Sequence, residues 1–168
     1  MSVSLYQVSV PVFTRFLNNL SAVLETAAAH AEQKRVEPAV LLGSRLYPDM
    51  FALSKQVIRT ADAAVGGAAR LAGLEVPTFE ANPDSFPGLV NYLKQAVEFL
   101  ATLTAAQIDG QEERVITLKR GNDTRTVQGQ QHLLNNVLPN FYFHLTTAYG
   151  ILRHNGVEIG KQDFLGRA

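Results

Sequence analysis

Apolar residues along the chain fall into four stretches with the three-to-four spacing of amphipathic helices, interrupted by one stretch of a different kind. The first runs from Ser9 to Gln33 and aligns Phe13, Phe16, Leu17, Leu20, Leu24, Ala27, Ala28 and Ala31 in one stripe, the mark of a helix with a single buried face. Ser9 is its expected N-cap, and Pro11 falls in the first turn, where a missing N–H is tolerated. Glu37-Pro38 and Gly43 then break the pattern. A second helix is expected from Pro48-Asp49, with Met50, Phe51, Val57, Ile58, Ala61, Ala64, Val65, Ala68 and Leu71 on one side and closure at Gly73 and Pro77. Gly66-Gly67 lies in its interior, at a cost of about 1 kcal/mol per glycine relative to alanine. With the surrounding alanines it makes a small-residue surface suited to close packing of another helix.

Asn82-Pro83-Asp84 reads as a turn, with Ser85 as N-cap and Pro87 in the first turn of a third helix. Phe86, Leu89, Val90, Leu93, Val97, Leu100 and Ala101 mark its buried face, which fades near Ala105. Residues Arg114 to Gln128 differ: two β-prone runs flank Gly121-Asn122-Asp123, predicting a hairpin between the third and fourth helices. A lone hairpin is marginal, so it must lean on the helices. The fourth helix is expected over Gly129 to His154, kinked or broken at Pro139 and ended by Asn155-Gly156. The tail from Ile159 to Gly166 carries apolar anchors that dock it back on the body. The expected fold is all-α, a four-helix bundle with a short hairpin, forming one domain over residues 1–168.

Composition narrows the function. Fifteen basic and fifteen acidic residues cancel, which leaves no electrostatic footprint for nucleic acid or an anionic membrane. No cysteine is present, so thiolate nucleophiles, disulfides and cysteine metal sites are excluded. No apolar run is long enough to span a membrane and no leader pattern is visible, so the expected location is cytoplasmic.

On helical wheels, at about 100° per residue, His144 sits at the centre of the apolar stripe formed by Leu133, Val137, Phe141, Ala148, Ile151 and Leu152. Asn140 lies one turn earlier and close to the same line. His132 and His154 fall toward the edge of the stripe, His30 on the flank of the first helix, and all three read as surface or boundary residues. On the second helix Ser54 falls within the apolar arc, bordered by Gln56, Thr60 and Asp62; Asp62 is expected to pair at the surface with Arg70 or Lys55, with a bond across the bundle as the alternative. Three readings are open for His144 and Asn140. They form a core pair satisfied by Ser54, Gln56 or a carbonyl freed at Pro139; or they line a pocket for a small molecule, with His144 as proton donor or acceptor; or they belong to a transition-metal site. No HExxH, P-loop, GxGxxG or GxSxG motif is present. Phe141 faces inward, whereas Tyr142 and Phe143 project elsewhere. An apolar second face of this kind points to a homodimer through the fourth helix.

The stretch from Pro139 to Gly156, continuing Ile159-Gly-Lys-Gln-Asp-Phe-Leu-Gly166, together with Leu46-Tyr-Pro-Asp-Met50, Gln56 and Asp62, resembles an uncharacterised bacterial and fungal domain family of the DinB/YfiT-like superfamily. The resemblance covers nearly the whole chain. It implies a DinB-like bundle, often dimeric, in a superfamily linked to stress responses. Some of its members are metal-dependent and use low-molecular-weight thiols for transferase or isomerase reactions. Their metal is held by a histidine on the second helix and a His-x-x-x-His pair on the fourth. Carried onto this chain, the second histidine of the pair falls on His144 and the first on Asn140. The remaining ligand falls near Ser54 to Gln56, where no histidine stands. The resemblance therefore implies a degenerate site and a metal-free pocket of Ser54, Gln56, Asn140 and His144. The alternative is a zinc or nickel enzyme using His144.

Overall fold

The structure, a computed structural model, describes residues 3–121 and 123–166. In chain order these form α1 (Val10–Lys34), α2 (Pro38–Leu42), α3 (Leu53–Ala72), α4 (Phe86–Ala101), α5 (Ala105–Ile108), strands β1 (Val115–Arg120) and β2 (Asp123–Gln128), α6 (Gly129–His132), a π-helical turn (Leu133–Val137), α7 (Leu138–His154) and α8 (Lys161–Leu165). α6, the π-turn and α7 run on as one rod. With α1, α3 and α4 it makes the four-helix bundle: α3 lies against α7 and α4, α1 against α4, and α8 against α1. Phe13 and Phe141, both fully buried, meet at 4.8 Å between ring centroids and join α1 to α7. Among the described residues no helix is long and apolar enough to cross a membrane.

Several expected boundaries move, each for a local reason. α3 begins at Leu53 rather than at Pro48-Asp49. The Pro48 region instead closes a turn, with Met50 N–H on the Tyr47 carbonyl, and the Arg45 guanidinium binds the Met50 carbonyl. α4 stops at Ala101, not near Ala105, because the Thr102 hydroxyl turns back onto the Phe99 carbonyl at 2.7 Å. The Gln107 side chain, accepting from Thr104 N–H at 2.8 Å, then starts α5. Ser85 caps α4 as expected, its Oγ accepting from Gly88 N–H at 3.1 Å. Ser9 precedes α1 but donates its hydroxyl to the Leu5 carbonyl at 2.6 Å instead of capping. The tail does dock: Asn19 Nδ2 donates to the Phe164 carbonyl at 3.1 Å, and the Phe164 ring meets Phe16.

The hairpin pairs Val115 with Gln128 through Arg120 with Asp123; Asn122 of the expected turn lies outside the described residues. Ile116 and Leu118 on β1, opposite Val127 and Arg125 on β2, share one face. Ile116 is buried, and Leu118 and Val127 are half-buried against the bundle core, so this is the face that leans on the helices.

Pro139 neither breaks nor ends the fourth helix. Proline has no N–H and its ring collides with the carbonyl four residues back, here that of Asn135. The chain answers by widening the preceding turn, and Leu138 N–H reaches the Leu133 carbonyl five residues back. The widened turn presses Val137 onto α3 at Gly67, where any Cβ would collide with the Val137 methyl groups. The small-residue surface expected on the second helix is thus the seat of this contact.

Candidate functional site

His144 is 8% exposed on α7, and its Nδ1 lies 2.7 Å from Gln56 Oε1 on α3. The Gln56 amide is oriented by its other end, since Nε2 donates to the Phe51 carbonyl at 3.1 Å. Oε1 can only accept, so Nδ1 of His144 carries the hydrogen and Nε2 keeps its lone pair. Burial, with help from the Arg59 charge and against the Asp62 charge, pushes the His144 pKa below its ordinary value. The ring is therefore a neutral acceptor at pH 7. Phe51 stacks 6.3 Å from it, and Phe143 meets it edge-on at 5.4 Å.

His144 lines one end of a cleft of about 840 Å³ enclosed by α3, the π-turn and start of α7, the segment at residues 76–79, and the hairpin. Of the four residues singled out from the sequence, His144 and Asn140 line this cleft, and Gln56 stands behind His144 as its hydrogen-bond partner. Asn140 is exposed and spends its Nδ2 on the Asn136 carbonyl at 2.7 Å. Ser54 is half-buried and does not line the cleft. It sits two residues from Gln56, about 200° around the helix, and so cannot share its face. Gln56 and Thr60, expected at the border of the stripe, are fully buried, Thr60 donating to the Gln56 carbonyl at 2.9 Å.

Asp62 pairs neither with Arg70 nor with Lys55. It meets Arg59 at 3.3 Å and also accepts from the Tyr92 hydroxyl of α4 at 2.7 Å, so the bond across the bundle is present as well. Burial and the neighbouring carboxylate raise the Tyr92 pKa well above its ordinary value. The guanidinium of Arg70 turns back onto the Gly66 carbonyl at 2.8 Å.

The largest departure from expectation is His132. Read as a boundary residue, it is 3% exposed and lines the cleft, and neither ring nitrogen finds a hydrogen-bond partner among the described residues. The π-turn explains the error. His132 precedes His144 by twelve residues, about 120° on a regular wheel; one extra residue in the widened turn takes back roughly 100° and brings both onto one face. Burial and the charges of Arg70 and Arg125 lower its pKa to about 4. Arg125 reaches the cleft because it shares the inner face of the hairpin with Leu118, an alternation readable in the sequence. The burial of His132 was not readable by a constant-period wheel.

Among the described residues no three His, Cys, Asp or Glu side chains come together so as to hold a metal ion. Where the resemblance carries the superfamily's ligands, His144 stands with the Asn140 amide and, within Ser54 to Gln56, the Gln56 amide, and both amides are engaged with backbone carbonyls. Neutral amides are weak donors to zinc or nickel compared with imidazole or carboxylate, and this set does not fit such an ion.

The family described as "Domain of unknown function (DUF1993)" matches residues 5–165. A DinB family member protein from Shewanella denitrificans, known from its crystal structure, is similar at 36% identity over 98% of this chain and 93% of its own, with a TM-score of 0.88. No curated protein matches significantly. The bundle, its inserted hairpin and the whole-length likeness lead to one statement: the chain belongs to the DUF1993 family and has the fold of the DinB proteins.

Proposed function

We propose that this DinB-like protein is a metal-free, dimeric module that binds a small molecule in the cleft beside His144. The observation that carries the reading is the Gln56–His144 pair: an amide fixed at both ends presents a neutral imidazole, with one lone pair unspent among the described residues, at a cleft large enough for a ligand. A ligand hydroxyl or ammonium group is what Nε2 would accept from. A link to stress responses is suggested by the superfamily resemblance. Tyr142, at 36% exposure, Phe143, at 55%, and Leu134, at 48%, put apolar surface along the fourth helical rod, which suits a symmetric partner copy. Light scattering at micromolar concentration tests the dimer, and a monomer there rejects it.

An imidazole in this state is also suited to proton transfer, which keeps an enzyme as the second reading. The metal-dependent, thiol-using form of that reading is disfavoured by the donor set around His144. A ligand screen on wild type and His144→Ala separates the possibilities. Loss of binding with little change in melting temperature supports the cleft reading, and a large loss of stability with unaltered binding makes His144 a core residue. Metal analysis of protein purified without chelator or affinity tag tests the rest, and stoichiometric zinc or nickel lost in His144→Ala restores the metalloenzyme.

A further inference from the structure

The far end of the cleft from His144 is built differently. The His132 ring forms its floor, nearly closed off from water, with both nitrogens unpartnered among the described residues. In a neutral imidazole one of these donates and the other accepts, and leaving both unused in a buried site is costly. Arg70 approaches from α3, and Arg125 and Lys119 from the hairpin. Of the acidic residues lining the cleft, Asp62 is already engaged by Arg59 and Tyr92, so among the described residues Asp123 alone stands against these three cations. A buried ring with an unused donor and acceptor, under an excess of guanidinium charge, matches a particular ligand chemistry.

We infer that the floor of the cleft, where His132, Arg70 and Arg125 come together, binds a small oxyanion, a carboxylate or phosphate. The guanidinium groups take the oxyanion. The imidazole N–H donates to an oxygen of the same group. The arrangement gives the His132 N–H a partner and neutralises the charges that oppose the ring's protonation. This assignment rests on the reading of the cleft as a small-molecule site and gives that ligand its class.

The test is to follow the ring nitrogens of both histidines by NMR while titrating glycolate or inorganic phosphate into the wild-type protein, with chloride holding ionic strength constant. Saturable shifts at His132 with glycolate or phosphate are expected, and whichever of the two binds more tightly identifies the head group. Arg125→Gln, an exposed strand position whose loss leaves the bundle core untouched, weakens the response about tenfold, the loss of one charge-assisted bond. Shifts at His144 but not at His132 overturn the oxyanion assignment and leave the wider cleft reading standing. Shifts at neither ring, or shifts equal in wild type and Arg125→Gln, also overturn it.

Discussion

Gln56 and His144, 88 residues apart in sequence, hold each other at 2.7 Å across the interface of α3 and α7. The pair fixes the tautomer of the one histidine at the centre of the apolar stripe. Replacing Gln56 by leucine strands a buried N–H, which costs about 1–3 kcal/mol. Chemical denaturation of Gln56→Leu is expected to show that loss. A loss no larger than that of an exposed control substitution would mean that the ring turns to another partner.

The acid sensitivity of the fold has a direction. His132 has its pKa lowered to about 4 by burial and by Arg70 and Arg125, whereas the unfolded chain titrates near the ordinary value of about 6.5. Below that value the unfolded state binds more protons, so stability falls as pH drops from about 6.5 to about 4 and levels off beneath. His144 is shifted in the same direction and adds to the slope. The contribution of His132 across this window is roughly 2–3 kcal/mol. His132→Leu is expected to flatten the profile and to be more stable than wild type at pH 5, as read by urea midpoints against pH. An unchanged slope would refute the shift.

Gly67 and Val137 form a second coupled pair. Gly67→Ala drives a methyl group into the Val137 side chain, at a cost of about 1–3 kcal/mol for an overpacked contact. Val137→Ala removes the methyls that obstruct it. The double variant is therefore expected to lose less stability than the two single losses added together, a coupling that a thermodynamic cycle measures. Strict additivity would place the clash elsewhere.

Tyr92→Phe deletes the hydroxyl that Asp62 accepts from at 2.7 Å. A bond to a charged acceptor is worth about 1.5–3 kcal/mol. Because Asp62 keeps Arg59 and is partly open to solvent, the lower end is expected. The same variant removes the phenol whose pKa is raised, so an ultraviolet titration loses its latest-ionising component.

How much of this was legible beforehand depends on period. Four stripes with one repeat length sufficed for the bundle, and Ser85 for the start of α4, because capping and burial are local properties of the chain. α2 and α5 each have only four or five residues, too few to establish a period. Gln56 was recognised, but its full burial was not, since a wheel ranks a residue by its neighbours on one helix and α7 decides the matter from outside. His132 was misplaced because the wheel assumes a constant rise of angle. Ser54 was placed in the apolar arc by the same constant-angle arithmetic, yet it is half-buried and outside the cleft lining.

The widened turn before Pro139 also acts as a counter. Everything N-terminal to it on the rod, α6 and through it the hairpin, is indexed to α7 by the number of residues between Leu133 and Val137. Removing a single residue there would restore an ordinary helix and rotate the hairpin by about 100° around the rod. Arg125 and Lys119 would then swing away from the cleft with no contact residue altered. In this family a one-residue gap at that place, invisible to any count of matching side chains, would therefore mark a protein with a different ligand.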